Sequence, residues 1–141
     1  MRNDDKVYGF GENICKYLCY NKSNDNKSYV LIKELCDKNI EQFFGYSFRG
    51  VFFARDETNT IYSWGWNYYG QLGRGYDSEH LYKYLKPEKN EFFFDKNIIQ
   101  ISCEWGYCLA LSSDGKVYGW GQKRFTRCHE SDPNVILTQF Q

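Results

Sequence analysis

The residues of this chain best suited to chemistry are its six cysteines and two histidines. Cys103 and Cys108 lie five residues apart in apolar segments of strand type, and alternation along a strand places such side chains on opposite faces. Cys15 and Cys19 lack the Cys-x-x-Cys spacing of a zinc or redox site. The histidines complete no metal-ligand pattern. We therefore predict free thiols, no metal and no cofactor.

Three other patterns resemble catalytic or ligand-binding motifs, but the residues around them do not support that interpretation. Cys128-His129 places a nucleophile beside a base, yet adjacent side chains seldom point at each other, so we expect a loop cysteine and an exposed histidine. The glycines of residues 70–75 lack the Lys-Ser/Thr ending of a phosphate-binding loop, and turn geometry explains them better. Asp56 and Asp114 lie in predicted hairpin loops, which aspartate favours. No catalytic residues remain, so the chain is predicted not to be an enzyme.

The elements that carry these residues are repeated. Val7-Tyr8-Gly9-Phe10-Gly11 returns as Ile61-Tyr62-Ser63-Trp64-Gly65 and as Val117-Tyr118-Gly119-Trp120-Gly121, at offsets of 54 and 56 residues. Asp37-Lys38-Asn39-Ile40 recurs as Asp95-Lys96-Asn97-Ile98, at an offset of 58 residues. Two independent landmarks with nearly one period indicate an array of repeats.

One unit of the array reads as a four-stranded antiparallel meander. Residues 98–103 and 107–112 are apolar runs of strand length, joined by a short turn. Asp114-Gly115 then precedes the strand at residues 117–121 and predicts a type I′ hairpin. Residues 135–137 form a weaker fourth strand. Four strands in about fifty-five residues are the size of one propeller blade.

The unit before it has the same pattern, with a longer hairpin loop at residues 56–59 and a fourth strand near Phe92, Phe93 and Phe94. Residues 6–11 and 28–32 supply only the third and fourth strands of a further unit. The expected fold is all-β: a partial β-propeller of about two and a half four-stranded antiparallel blades. We expect one domain over residues 1–141, with a half blade at 1–36 and blades at 37–94 and 95–141.

Residues 61–75 and 98–121 resemble the signature of the regulator of chromosome condensation repeat, which includes a Val-Tyr-x-Trp-Gly strand after Asp-Gly. The resemblance implies a seven-bladed β-propeller. The outer copies depart from the signature, since Phe10 replaces tryptophan and neither copy keeps Gly-Gln-Leu-Gly. The residues that carry the repeat pattern are Tyr62, Trp64, Gly65, Gly70, Leu72, Gly73, Asp114, Gly115, Tyr118, Trp120 and Gly121.

Seven units would need roughly 385 residues at about fifty-five residues each, whereas this chain has 141. We therefore expect a fragment of a longer propeller, or an open arc that is capped or self-associates through its blade edges.

The composition of the chain narrows the classes of molecule that it is expected to bind. Eighteen basic and eighteen acidic residues cancel, so neither nucleic acid nor an anionic membrane is expected to bind. The charged start and the absence of an apolar run of about 20 residues predict a cytoplasmic or nuclear location. We expect the repeated Trp and Tyr residues to pack between blades and not to stack on bases.

The expected function is a non-enzymatic protein–protein interaction module. Exposed tyrosine is enriched at protein interfaces, and the connection after the third strand of the middle unit is rich in it. The resemblance implies another protein as the partner, as in the partner-binding parts of ubiquitin-ligase subunits. The alternative that it implies is a guanine-nucleotide exchange factor for a small GTPase. The candidate contact residues are Tyr68, Tyr69, Arg74, Tyr76, Tyr82 and Tyr84.

Overall fold

The structure is a computed structural model that describes residues 4–11, 14–18, 29–46, 50–74, 84–104, 106–122 and 135–137. The strands in these ranges form three sheets, which we call the first unit, the middle blade and the last blade. The first unit contains β1 (Tyr8–Gly9) and β2 (Val30–Leu31). The middle blade contains β3 (Ile40–Tyr46), β4 (Val51–Asp56), β5 (Ile61–Trp66) and β6 (Tyr84–Lys89), and the last blade contains β7 (Ile98–Glu104), β8 (Tyr107–Ser112), β9 (Val117–Gly121) and β10 (Val135–Leu137).

The helical elements of the described residues are short. They are α1 (Ile14–Tyr17) and two 3-10 helices, Lys33–Leu35 and Glu91–Phe93. None of them is long and apolar enough to cross a membrane. The all-β fold with one pair of strands and two four-stranded sheets agrees with the prediction of about two and a half blades.

The fourth strand of the middle blade is β6, and its predicted position at Phe92, Phe93 and Phe94 is wrong. The first two of these residues lie in the 3-10 helix Glu91–Phe93, and Phe94 follows it. The Asn90 side chain accepts a hydrogen bond from the Phe92 N–H at 3.1 Å and so caps this helix. A local side-chain cap therefore prevails over the strand propensity of three aromatic residues.

The fourth strand of the last blade departs from the predicted antiparallel meander, because β10 pairs with β9 in the parallel direction. A parallel pair needs a crossover of about a dozen residues or more, which a tight hairpin cannot supply. Residues 122–134 are long enough for that crossover.

The β8–β9 hairpin has a different turn from the predicted type I′. Type I′ needs a positive φ at both central residues, but in this turn Gly115 has φ 84° while Asp114 is not left-handed. The Gly115 N–H donates to the Ser112 carbonyl at 3.0 Å. The geometry is a type I turn followed by a left-handed glycine, the usual form of a slightly longer hairpin loop.

The prediction of free thiols is wrong for Cys103 and Cys108, which form a disulfide. The two residues are direct partners across β7 and β8. The hairpin reverses the chain between them, so both side chains lie on one face of the sheet, and alternation along a single strand does not apply. Cys36 is a free thiol. The Cys15 side chain and the remaining two cysteines lie outside the described residues.

The blades pack face to face through two apolar clusters. Leu18, Val30, Ile32, Leu35, Ala54, Tyr62 and Trp64 join the first unit to the middle blade. The cluster between the middle and last blades comprises Val51, Phe53, Ile61, Leu72, Phe93, Ile98, Ile101, Cys108, Ala110, Tyr118 and Trp120. Each repeated Tyr-x-Trp strand thus buries its rings against the preceding unit.

The repeated Asp-Lys-Asn sequence forms the turn that leads into each first strand. Asp37 and Asn39 have φ values of 58° and 51°, and Asp95 and Asn97 have values of 65° and 46°. Asp and Asn tolerate this left-handed conformation better than other non-glycine residues. The repeat is therefore maintained by backbone geometry at the entrance to β3 and β7.

Candidate functional site

The last residue of β5 and the segment that follows it form a compact loop, which we call the aromatic loop (residues 66–74). Gly70 and Gly73 have φ values of 77° and 65°. The Asn67 side chain accepts a hydrogen bond from the Leu72 N–H at 3.0 Å, and the Gln71 side chain accepts one from the Tyr69 N–H at 2.8 Å. These bonds stabilise the turns from within the loop, and the two glycines supply the left-handed conformation that the turns require.

The base of the aromatic loop is anchored in both blades. Gln71 and Leu72 are buried. The Gln71 carbonyl accepts a hydrogen bond at 2.7 Å from the indole N–H of Trp120 in the last blade. The Leu72 carbonyl accepts one at 2.7 Å from the Asn90 side chain. The loop is therefore held at a fixed position over the junction of the blades.

The exposed part of the loop is a cluster of three rings, Trp66, Tyr68 and Tyr69, which we call the aromatic surface. The Trp66 ring stacks on Tyr68 at a centroid distance of 5.6 Å, and the Tyr68 and Tyr69 rings meet edge to face at 4.7 Å. Tyr68 is 41% exposed and Tyr69 is 36% exposed. Tyr69 packs so closely over Gly106 of the last blade that a Cβ there would overlap its ring.

The β7–β8 hairpin, which Tyr69 contacts at Gly106, also carries a carboxylate. The Tyr107 hydroxyl donates to the Glu104 carboxylate at 3.4 Å. Burial and the neighbouring Glu104 raise the pKa of the Tyr107 hydroxyl above its ordinary value. The sequence has no signal that connects Gly106 or Glu104 with Tyr69. Only the strand register places this hairpin beside the loop.

The structure places the other candidate contact residues elsewhere. Arg74 points inward with its side chain 3% exposed, and its guanidinium donates to Ser63 Oγ at 3.1 Å and to the Lys86 carbonyl at 2.6 Å. It joins β5 to β6 and does not belong to the exposed surface. Tyr84 is half-buried against Tyr17. Tyr76 and Tyr82 lie outside the described residues.

The residues of the repeat pattern lie in the framework that holds this surface. Tyr62, Trp64, Tyr118 and Trp120 are all less than a tenth exposed. The Trp120 indole N–H donates to the Gln71 carbonyl, whereas the Trp64 indole N–H has no hydrogen-bond acceptor among the described residues. At that junction Lys16-Tyr17-Leu18-Cys19 stands where the next junction has Gly-Gln-Leu-Gly.

Within the described ranges, no group of three or more His, Cys, Asp and Glu side chains could hold a metal ion. The exposed groups of the aromatic surface are the phenol rings of Tyr68 and Tyr69, with the partly buried indole of Trp66 beside them. Such a surface can make apolar, stacking and hydrogen-bond contacts with a partner.

Two family models match the chain, both described as the regulator of chromosome condensation (RCC1) repeat, over residues 59–111 and 98–125. The ultraviolet-B receptor UVR8 of Arabidopsis thaliana is 44% identical over 68 residues, which are 48% of this chain and 14% of the receptor. Protein RCC1 of Candida albicans is 36% identical over half of this chain and 16% of its own length. The probable E3 ubiquitin-protein ligase HERC4 of Mus musculus is 27% identical over 73% of this chain and 9% of its own length.

Solved structures show the same fold. Yeast RCC1 (Prp20) bound to Kap60 superposes with a TM-score of 0.66 at 23% identity, over 83% of this chain and 26% of Prp20. A structure of Prp20p from Saccharomyces cerevisiae, reported with its binding to Gsp1p and histones, gives a TM-score of 0.64 at 23% identity, over 82% of this chain and 26% of that one.

The chain thus spans about a sixth or less of each of these curated relatives and about a quarter of the solved propellers. The repeat models, the relatives and the shared fold agree with the blades described above. The chain belongs to the regulator of chromosome condensation repeat family and forms part of a β-propeller.

Proposed function

We propose that this chain is a non-catalytic protein-interaction module that contacts its partner through the aromatic surface of Trp66, Tyr68 and Tyr69. The observation that carries the proposal is the contrast within the aromatic loop. Its base is buried and hydrogen-bonded to two blades, while its tyrosine rings are more than a third exposed. Rings that are already ordered lose little conformational entropy on binding, which favours their use as anchors in an interface.

The family relationship supports a protein as the partner. HERC4 is named as a probable E3 ubiquitin-protein ligase, and we infer that a role as a partner-binding part of such a ligase suits this chain. The zero net charge supports neither a nucleic acid nor a membrane as partner. A cytoplasmic or nuclear location would suit this role.

The test is a quantitative capture experiment with the double variant Tyr68→Ala/Tyr69→Ala. We expect proteins captured by the wild type to be reduced at least about tenfold, because interface aromatic residues often contribute about 2 kcal/mol or more. The matched control is Tyr29→Ala, which removes a tyrosine ring that is 73% exposed on the first unit. Equal capture by the double variant and the wild type, with the thermal unfolding midpoint retained, would exclude the aromatic surface.

The alternative is a guanine-nucleotide exchange factor. It is supported by the similarity to RCC1 of Candida albicans and to Prp20p, which was studied with Gsp1p. The measurement is release of fluorescent GDP from Gsp1p at increasing concentrations of the chain. If the interaction module is the whole function, the release rate stays at its spontaneous value. A concentration-dependent acceleration would favour the exchange factor.

A further inference from the structure

The two junctions between units can be compared because the same turn enters each blade. At the junction of the first unit and the middle blade, Asp5 bridges to this turn. Its backbone carbonyl accepts a hydrogen bond from the Asp37 N–H at 2.9 Å. Its carboxylate Oδ2 accepts one from the Asn39 N–H at 2.5 Å. A carboxylate-bearing residue thus satisfies both N–H groups of the left-handed turn.

The second junction has the same turn without this bridge. Asp95 and Asn97 have the same left-handed conformation, yet neither backbone N–H donates a hydrogen bond to any described residue. The offset of 54 residues places Asn59 where the first junction has Asp5. The Asn59 side chain accepts a hydrogen bond from Arg55 at 3.0 Å instead.

A cleft of about 260 Å³ lies between this turn and the β4–β5 hairpin. Its lining includes Lys89, Phe94, Asp95 and Asn97. Phe94 is 62% exposed and forms an apolar wall, with the Lys89 ammonium 5.6 Å from the centroid of its ring. The cleft is smaller than the roughly 300 Å³ or more of a typical small-molecule site, so its volume suits one short side chain.

The groups that face the cleft favour an anion. Backbone N–H groups in left-handed turns form concavities that attract negative charge, and Lys89 adds a full positive charge. Two carboxylates oppose this: Glu91 lies 3.8 Å from the Lys89 ammonium, and Asp95 lines the cleft itself. The equivalent carboxylate of Asp37 does not prevent Asp5 from binding at the first junction.

We propose that this cleft binds one carboxylate group, in the position that Asp5 occupies at the first junction. The carboxylate comes from an aspartate or glutamate side chain of a partner protein, or from a small free acid. The site does not depend on the aromatic surface, so each proposal can fail without the other.

The test is a titration of the full ¹⁵N-labelled chain with acetate, followed through the amide signals in ¹H–¹⁵N correlation spectra. We expect saturable shifts at Asp95 and Asn97. The amides of Asp37 and Asn39 are the control within the same molecule, because Asp5 already occupies them, and we expect them to move several-fold less. No saturable shift at Asp95 and Asn97, or equal shifts at all four amides, would overturn the proposal.

Further probes distinguish a partner protein from a free acid as the source of the carboxylate. They also test whether the site prefers a carboxylate to a neutral amide or to phosphate. N-acetyl-Gly-Asp-Gly-amide supplies the carboxylate from a peptide, and the Asn peptide of the same sequence is its neutral control. Tighter binding of the Asp peptide than of acetate assigns the site to a partner protein, and the reverse assigns it to a free acid. Equal binding of the Asp and Asn peptides, or tighter binding of inorganic phosphate than of acetate, would overturn the carboxylate assignment.

The variant Lys89→Gln tests the contribution of charge. The Lys89 side chain is about half exposed, so the fold should be retained. We expect the affinity for acetate to fall at least threefold. An unchanged affinity with an unchanged unfolding midpoint would contradict the proposed site.

Discussion

Gly65 and Gly121 are the last residues of the repeated five-residue segment. Each lies against the hairpin that joins the first two strands of its own blade. Their φ values are 102° and 114°, a conformation that L side chains rarely adopt. A Cβ at either position would overlap a backbone carbonyl oxygen, that of Gly50 or of Gly106. The next N–H donates to the same carbonyl, at 3.0 Å from Trp66 and at 2.8 Å from Gln122. The glycine of the Trp-Gly pair therefore allows this close approach of two backbones.

Gly121→Ala is expected to lower the free energy of unfolding by at least about 3 kcal/mol, because it combines strain in φ with a backbone overlap. Gly115→Ala is the matched control. Gly115 also has a positive φ, of 84°, but a Cβ there would meet no atom within 4 Å. We expect a cost of about 1 kcal/mol for the control. Denaturant unfolding followed by circular dichroism measures both, and equal losses would show that the carbonyl approach is unimportant.

At the residue scale, the sequence predicts what depends on a local pattern. Trp120 could be predicted because it recurs in phase with Trp64. The turn at Asp114-Gly115 could be predicted because Asp-Gly favours a turn. The inward position of Arg74 could not, because its acceptors lie on β5 and β6, more than ten residues away. The Cys103–Cys108 pair could have been predicted from the register of the two strands, once the hairpin between them was recognised.

The β4–β5 hairpin is organised by Asp56. Its carboxylate accepts hydrogen bonds from the Thr58 N–H, the Thr60 N–H and the Tyr62 hydroxyl at 2.8, 2.9 and 3.2 Å. Burial alone would raise the pKa of the Asp56 carboxyl, but these bonds, together with the Thr58 hydroxyl, hold it below its ordinary value. Burial and Asp56 raise the pKa of Tyr62 to about 12. The ionised carboxylate thus stabilises the folded hairpin.

Because the folded pKa of Asp56 is lowered, its contribution is fully present above the unfolded value of about 3.9 and is lost as the pH falls through the folded value. We expect Asp56→Asn to lower stability at pH 7 by about 1–2 kcal/mol. The variant should also weaken the fall of the unfolding midpoint as the pH is lowered below about 4. Thermal unfolding over that range measures it. Glu91→Gln, on an exposed side chain, is the control, and an equal effect of both variants would contradict this role of Asp56.

At the element scale, the repeat period of the sequence predicts the strands that recur in phase. It predicts less well the strands that follow a long connection. β5 and β9 lie where their phased sequence places them. β6 and β10 follow long connections. β6 lies outside its expected residues, whereas β10 lies at the expected residues 135–137 but pairs in the parallel direction. Arg74 helps to hold β6 beside β5, and nothing in the sequence of residues 84–89 alone indicates that arrangement. Fourth strands are therefore the least predictable part of these blades.

At the scale of the whole molecule, the described part of the first unit supplies two strands, whereas each blade supplies four. Apolar side chains at equivalent repeat positions are buried in one unit and exposed in another. Phe10 is 73% exposed, while Trp64 and Trp120, at the same repeat position, are 3% and 0% exposed. Phe43 on β3 is 55% exposed, while its counterpart on β7, Ile101, is 7% exposed. Phe10 and Phe43 are thus apolar rings that remain exposed to water.

We expect the exposed rings of Phe10 and Phe43 to cause self-association that depends on concentration. Exposed apolar patches and uncovered sheet faces promote such contacts. The double variant Phe10→Ser/Phe43→Ser should shift sedimentation towards the monomer at concentrations of about 10–100 μM, where the wild type associates. Its unfolding midpoint should change little, because the replaced rings are mostly in contact with water. Phe94→Ser is the control, since it removes a ring that is 62% exposed at the other junction. A wild type that sediments as a monomer throughout this range would contradict this role of Phe10 and Phe43.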